Sequence, residues 1–368
     1  MLMKIFHHTI NAKTLCVALF ILFPLILLSV IIIKPDASLS EIENRTLTAA
    51  ADVEFDILEG KFQEGLENYL SDQFPLRNRL KGAEVGVKLR LGCGCIGGAY
   101  VGSDGRLFQK LPGSEVDSGK CVKYAARINR IAEQTGIETY VMYVPSAGIA
   151  LKDRMPYGAP MYDYDALYSS LKREMRSENI HMIDLRGILS GNPEYYYATD
   201  HHWTAAGAAA AYYEWRIAHG TELHDTDSPT VVSVSDDFRG TLWSRVPSRL
   251  IPAERLSAFE VTDEVTVEAD GAQISLYDES ALQTKDKYNF FQGGNHGILT
   301  VTNPGVKKGK TLLILKDSFA NSFLPCIVGD YAKIIMVDER YAFIDVVQLA
   351  ADSGADEIAV IREIISAG

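Results

Sequence analysis

The sequence predicts an α/β fold: a mainly parallel sheet flanked by helices, with an N-terminal transmembrane helix ahead of it. Three observations carry this. From residue 121 onward, apolar runs of strand length alternate with helical stretches, the pattern of a parallel sheet covered by helices. Hydrophobic residues make up 47% of the 368-residue chain, enough for a full core. One uncharged apolar run, residues 15–33, has the length a helix needs to cross a bilayer.

The elements follow in order. Residues 1–14 read as a cytoplasmic tail; Lys4 and Lys13 place positive charge there and favour an N-in, C-out orientation. Pro24 inside the run is tolerated in a membrane helix. The rival reading is a cleaved signal peptide. The run is long for such a segment, and Ile31-Ile32-Ile33-Lys34-Pro35 lacks a small-residue cleavage site. The expected location is therefore the cell membrane, single-pass, with the remaining chain extracytoplasmic.

Residues 34–85 read as a tether and an amphipathic helix. Ser40-Glu41-Ile42-Glu43-Asn44-Arg45 is polar; Phe55, Leu58, Phe62, Leu66, Tyr69 and Leu70 then recur at helical spacing until Pro75. Residues 86–368 form the main domain. Ser103-Asp104-Gly105 turns a hairpin over 100–108. A helix over 123–134 closes at Gly136, and a strand over 137–144 ends at Pro145-Ser146. A helix over 164–177 and a strand over 181–185 follow, and the Ala-rich stretch 204–218 is strongly helical. Residues 228–300 read as an irregular β-containing insertion, with short strands at 230–234 and 273–277. Regular order resumes with a strand over 310–316, a helix after Ser318, and strands over 333–337 and 357–361. Ser318, Pro145-Ser146 and Asp184 fall at the carboxyl ends of strands, where such sheets bind ligands.

The net charge of -12 disfavours nucleic acid as a partner. Cys16 lies in the apolar run, whereas Cys93, Cys95, Cys121 and Cys326 lie where disulfides can form. Cys93-Gly94-Cys95 is not a Cys-x-x-Cys pair, and no histidine stands at zinc-ligand spacing around it. A bond from Cys93 or Cys95 to Cys121 stays open. No cofactor is called for.

Two short segments carry chemistry: Thr199-Asp200-His201-His202-Trp203-Thr204, and the apolar run that ends in Lys316-Asp317-Ser318-Phe319. A serine becomes a nucleophile at neutral pH when a base takes its proton and a third group fixes that base. Ser318, between a strand and a helix, has its hydroxyl at a helix N-terminus. The same position also suits a plain helix cap, for Ser318 or for Asp317. Side chains at i and i+2 of an extended segment point the same way, so Asp200 pairs with His202. The assignment is Asp200 to Nδ1–H of His202, and His202 Nε2 to Ser318. His201 is then a supporting or simply satisfied residue. Asp200, His201 and His202 are also possible metal ligands, but adjacent histidines hold one ion poorly and no fourth ligand is evident, so no metal is expected. Trp203 either packs to order the loop or offers its face to a sugar. Gly294 and Asn295, within a Gly-Gly-Asn stretch, are candidate oxyanion-hole residues; the stretch reads equally as a tight turn. Asn321 is a second donor candidate, and Arg239 a candidate pocket residue.

These residues resemble the DHHW family of bacterial envelope proteins, named for the string at Asp200 to Trp203. More distantly, the chain is similar to the periplasmic alginate O-acetyltransferases and the wider SGNH-hydrolase-like superfamily. The likeness includes Glu43-Asn44-Arg45, Asp72-Gln73-Phe74-Pro75-Leu76-Arg77, Phe238-Arg239-Gly240-Thr241-Leu242, Gly293-Gly294-Asn295 and Lys316-Asp317-Ser318-Phe319-Ala320-Asn321. It implies an SGNH-hydrolase-like fold with the orienting acid at Asp200, the base at His202 and the nucleophile at Ser318. It implies O-acetylation of a cell-envelope or secreted polysaccharide through an acyl-enzyme. Acetyl-CoA is absent outside the cell, so the resemblance also implies a multi-spanning membrane-bound O-acyltransferase as acyl donor. A carbohydrate acetyl esterase and a non-catalytic glycan-binding or assembly protein are the alternatives. The chain departs from the pattern at Lys316, where relatives often have Gly before Asp-Ser.

Overall fold

The computed structural model describes residues 11–40, 42–43, 45–221 and 230–366. Lys4 with most of the N-terminal tail, Glu41 and Asn44 of the tether, and the first residues of the 228–300 stretch lie outside them. Contacts divide the chain into two compact units, Met1–Glu84 and Val85–Gly368.

In the first unit, α1 (Ala12–Ile33) is the one helix among the described residues long and apolar enough to cross a membrane. The amphipathic helix α2 (Lys61–Asp72) starts later than its apolar spacing predicts. Gly60, at φ 75°, takes the left-handed conformation that breaks the helix, so Phe55 and Leu58 stand exposed ahead of it. Asp72 closes α2, ahead of α3 (Arg77–Arg90) in the chain, and accepts from Arg45 at 3.0 Å and from the Thr48 N–H at 3.0 Å. The hydrogen bond from Arg45 is the main cause that lowers the Asp72 pKa to about 2. Glu43, on the tether, accepts from Arg77 at 2.8 Å. The polar tether is thus bonded within its own unit.

The second unit is built on eight strands: β1 (Glu138–Val144), β2 (Ile180–Ile183), β3 (Thr266–Ala269), β4 (Ala272–Ile274), β5 (Ile298–Thr302), β6 (Thr311–Lys316), β7 (Lys333–Val337) and β8 (Glu357–Glu363). Their order in the sheet is β4-β3-β5-β7-β6-β8-β1-β2. The five strands from β7 to β2 run parallel, with Ile314 opposite Met336 and Ala359 at the centre. Both faces of these strands are covered. Leu312 and Ile314 point into one core, Leu313 and Leu315 into the other, which is why β6 reads as a continuous apolar run. One core holds α6 (Ala205–Ala218) and α7 (Phe319–Ile327). The other holds α4 (Ser118–Thr135), α5 (Tyr164–Glu174) and α8 (Val346–Ser353). The first of these starts earlier than its apolar spacing predicts, because Asp117 caps it through the Lys120 N–H at 3.0 Å.

The stretch read as an irregular β-containing insertion contributes three strands to the sheet. β3, β4 and β5 extend it antiparallel from β7. Val267 and Ala269 alternate with exposed Thr266 and Glu268, so one face of β3 enters the core while the other meets solvent, and Leu299 and Val301 of β5 join the same core. A separate two-stranded ribbon pairs Val231–Phe238 with Glu254–Phe259. The hairpin expected around Ser103-Asp104-Gly105 pairs Ala99–Val101 with Leu107–Gln109. All five cysteines are free, so neither Cys93 nor Cys95 is bonded to Cys121 in this structure.

Candidate active site

The parallel strand β6 delivers Ser318 to the carboxyl edge of the sheet. Asp317 fixes the turn. One oxygen of its carboxylate accepts from the Phe319 N–H at 2.9 Å. The other accepts from the Glu363 N–H at 2.8 Å and the Ser366 hydroxyl at 2.6 Å, tying the turn to the end of β8. Asp317 therefore takes the capping part, and the Ser318 side chain makes no cap bond to α7. The Ser318 N–H has no backbone acceptor among the described residues.

The second segment is a tight loop. Tyr196 bridges Trp203, and the Tyr197 N–H donates to the His202 carbonyl at 3.2 Å. Glu254 holds the loop from below, accepting from the Ala198 N–H at 2.7 Å and the Thr199 N–H at 2.6 Å. Thr204 ends it by capping α6 through the Gly207 N–H at 3.2 Å. Between these anchors, His202 Nδ1 lies 2.5 Å from Asp200 Oδ1, and His202 Nε2 lies 2.7 Å from Ser318 Oγ. The second Asp200 oxygen accepts from the Thr241 N–H at 2.7 Å and its hydroxyl at 3.0 Å. Gly240 allows that approach: a Cβ there would lie 2.2 Å from Asp200 atoms. The imidazole of His202 stacks on the Tyr288 ring, with centroids 4.0 Å apart and planes 7° apart.

The electrostatics follow from this geometry. Burial is the largest influence on Asp200 and pushes its pKa up; the two imidazoles, with hydrogen bonds from His202 and Thr241, outweigh it and hold the carboxyl well below the usual range. An ionised Asp200 takes Nδ1–H and leaves the Nε2 lone pair of His202 facing the Ser318 hydroxyl. Burial, then the neighbouring His202, lowers the His201 pKa to about 4, so His201 is neutral at pH 7.

Asp200, His201 and His202 bring three metal-ligand atoms within 4.8 Å of one another. Those side chains are already committed: His201 Nδ1 to the Thr241 hydroxyl at 2.9 Å, and His202 to Asp200 and Ser318. A cation there would have to break these bonds.

The other predicted site residues fall elsewhere. Trp203 is fully buried and its indole N–H donates to the Phe319 carbonyl and the Ser322 hydroxyl, so it orders the loop and offers no face to a sugar. Asn321 is buried, and its amide N–H groups go to the Gly294 carbonyl at 3.4 Å and Asn295 Oδ1 at 3.1 Å. Lys316 donates to Asn321 Oδ1 at 2.7 Å and Asn295 Oδ1 at 3.0 Å. Gly294, Asn295 and Asn321 thus form a network with Lys316, and the Asn321 donors are not free for an oxyanion. Arg239 pairs with Asp237 and lies over Trp243. Sequence reasoning missed Tyr288 and noted Thr241 only as part of the family likeness. Tyr288 sits among ordinary core aromatics, and nothing local marks it; Thr241 follows the glycine that lets Asp200 approach.

An α/β sheet with an acid–imidazole–hydroxyl chain at a parallel strand end is a serine-hydrolase-like arrangement. Residues 101–283 match the family model for the SGNH hydrolase-like domain of acetyltransferase AlgX, a span that contains Asp200 and His202 while Ser318 lies beyond it. Over that span the chain is similar to an SGNH-hydrolase-like domain of the AlgX acetyltransferase type. Its fold is that of a DHHW family protein from Eubacterium siraeum (TM-score 0.62, 21% identity, covering 74% of this chain and 93% of that one). It is also that of Bacillus cereus PatB1 with a sulfonyl adduct (TM-score 0.58, 19% identity, covering 71% and 93%). No curated protein matches the chain.

Proposed function

We propose that this protein is a membrane-anchored, extracytoplasmic O-acetyltransferase acting on a cell-envelope or secreted polysaccharide. The observation that carries the reading is the unbroken chain from Asp200 through both ring nitrogens of His202 to Ser318 Oγ, at 2.5 and 2.7 Å. The acetyltransferase description of the matching family model supports acyl chemistry. The resemblance to alginate O-acetyltransferases supports a glycan acceptor and a membrane-bound O-acyltransferase as donor.

In this mechanism, Ser318 Oγ attacks the carbonyl carbon of the acyl donor while its proton passes to His202 Nε2. Asp200 stabilises the imidazolium that results. The tetrahedral oxyanion is met by the Ser318 N–H at the head of α7, where the helix dipole also favours negative charge. Collapse expels the donor's leaving group, which takes the proton from His202 and leaves acetyl-Ser318. An acceptor sugar hydroxyl then gives its proton to His202 as it attacks the acetyl carbon, and the second collapse returns the proton to Ser318. Holding the domain beside a membrane donor by α1 raises the effective concentration of acyl groups.

The test uses the full chain in detergent. Expected are release of p-nitrophenol from p-nitrophenyl acetate, labelling of Ser318 by a fluorophosphonate, and acetylated oligosaccharide by mass spectrometry. Turnover that ignores every acceptor makes the protein an esterase. Absence of both turnover and labelling leaves a glycan-binding or assembly protein.

A further inference from the structure

A cavity of about 1310 Å³ opens on the same edge of the sheet as the triad. Its lining comes from Gly148 to Asp165, just after β1, and from Asp184 to Ser190, just after β2. In the sheet, β1 lies two places from β6, with β8 between. Two strand spacings, roughly 10 Å, separate the carboxyl ends of β1 and β6. A hydrogen-bonded wall joins the two places. Tyr162, which lines the cavity, meets Ser146 Oγ at 3.1 Å, and the Tyr196 hydroxyl donates to the neighbouring Pro145 carbonyl at 2.6 Å. Tyr196 in turn bridges Trp203, next to His202.

The chemistry of the lining is specific. Asp153, Asp163, Asp165 and Asp184 face a single lysine, Lys152, and a single arginine. That arginine, Arg186, is held by Asp165 at 2.6 Å and by Asp184 at 2.9 Å, so the remaining field is negative. On the rim, Tyr157 is fully exposed, presented by a turn whose next residue, Gly158, sits at φ 72°. A tyrosine ring gives a flat apolar surface to the C–H face of a sugar and a hydroxyl to its edge. Carboxylates around such a ring attract ammonium groups and repel carboxylates, and the chain's net charge of -12 adds to the repulsion.

We propose that this cavity is the acceptor subsite and that it selects an amino-bearing glycan, of the class of partly de-N-acetylated hexosamine polymers, against polyuronates. The assignment rests on the acyl-transfer reading above. It departs from what the alginate resemblance alone would imply, because the acceptor of that resemblance is a polyanion.

The test is titration calorimetry on full-length Ser318→Ala protein in detergent at low salt, with oligomers of glucosamine, N-acetylglucosamine and mannuronate. The glucosamine oligomer should bind tightest and the mannuronate oligomer at least about tenfold weaker, with the gap narrowing as salt is raised. Tyr157→Ala should weaken the glucosamine oligomer about fivefold. Asp153→Lys should shrink or reverse the preference over mannuronate. Mannuronate binding as tight as glucosamine, or no effect of Tyr157→Ala, overturns the subsite. Ester turnover of the Ser318 protein is measured in parallel. Turnover with no such binding pattern leaves the serine chemistry standing and removes the subsite; the binding pattern without turnover does the reverse.

Discussion

Two hydrogen-bond networks leave the carboxyl end of β6 in opposite senses. Asp200, His202 and Ser318 run from a buried carboxylate outward to a partly exposed hydroxyl. Lys316, Asn321 and Asn295 run sideways and close on one another, with Asp338 3.5 Å from the same ammonium. In both, burial opposes the charged group and partners restore it. Burial lowers the Lys316 pKa to about 8, while Asp338 and Asp317 work against it. The difference lies in the last atom. The first network ends in a hydroxyl whose proton can leave with a substrate, and the second spends its donors on its own acceptors. Residue type does not separate them: an asparagine near a nucleophilic serine can be an oxyanion donor or a strut, and its hydrogen bonds decide.

The largest effect should come from breaking the outward network. Ser318→Ala and His202→Ala should each lower ester turnover by roughly four orders of magnitude, and Asp200→Asn by a similar factor, because the tautomer of His202 is lost. His201→Ala should cost less than about tenfold, since its Nδ1 meets only Thr241 and Asp200 and its Nε2 is not on the proton path. Steady-state rates on p-nitrophenyl acetate decide this. A damaging His201→Ala beside a tolerated His202→Ala would invert the assignment.

Gly240→Ala probes the same network without touching a charged group. A methyl at Gly240 has no room beside Asp200, so the carboxylate must move from the Thr241 donors. A displacement near 1 Å at a catalytic group costs about a hundredfold, and that is the expected fall in kcat. Full activity in a folded Gly240→Ala protein would mean that the position of Asp200 is not critical.

The closed network should answer differently. Lys316→Met removes the ammonium that satisfies Asn321 Oδ1 inside the protein. Leaving that acceptor unpaired costs about 1–3 kcal/mol of stability, read as a lower Tm, while turnover falls by less than about tenfold. A kcat loss as deep as that of His202→Ala, with Tm unchanged, would move Lys316 into the reacting set and erase the contrast.

How much of this was legible in the sequence depends on how local the signal was. The pairing of Asp200 with His202 follows from a two-residue spacing, and β6 with its turn follows from an apolar run ending in Asp-Ser; both are local. The strands β3 to β5 were less legible, because alternation over three to five residues looks the same in a stray ribbon and in a sheet extension. The start of α2 was misplaced because apolar spacing was read through Gly60, whose left-handed backbone outweighs the pattern. The fates of Trp203, Asn321 and Asn295 could not be read, since their partners lie far along the chain, at Phe319, Gly294 and Lys316. Tyr288 is the extreme case: its role is contact between residues 86 positions apart, with no motif around it.

The smallest effect on turnover concerns the residue under the nucleophile turn. Glu363 ends β8, is 6% exposed, and has one side-chain oxygen with no hydrogen-bond partner. Burial first, and then the charge of Asp317, raises its pKa from 4.5 to about 8. Between those values the folded protein keeps a proton that the unfolded chain releases. The native state thus binds more protons, and stability must fall as pH rises through this window; above about 8 both states are ionised and the penalty is constant. Glu363→Gln keeps the shape and removes the titration. Its Tm should match the parent near pH 4.5 and exceed it by an increasing margin up to pH 8, in melts run at constant ionic strength. Because the Glu363 N–H holds Asp317, and Asp317 holds the Ser318 turn, relief of that repulsion should also flatten any alkaline loss of ester turnover. A Tm difference that stays level from pH 4.5 to 8 would show that Glu363 reaches water, and that the turn beneath Ser318 is looser than the closed network beside it.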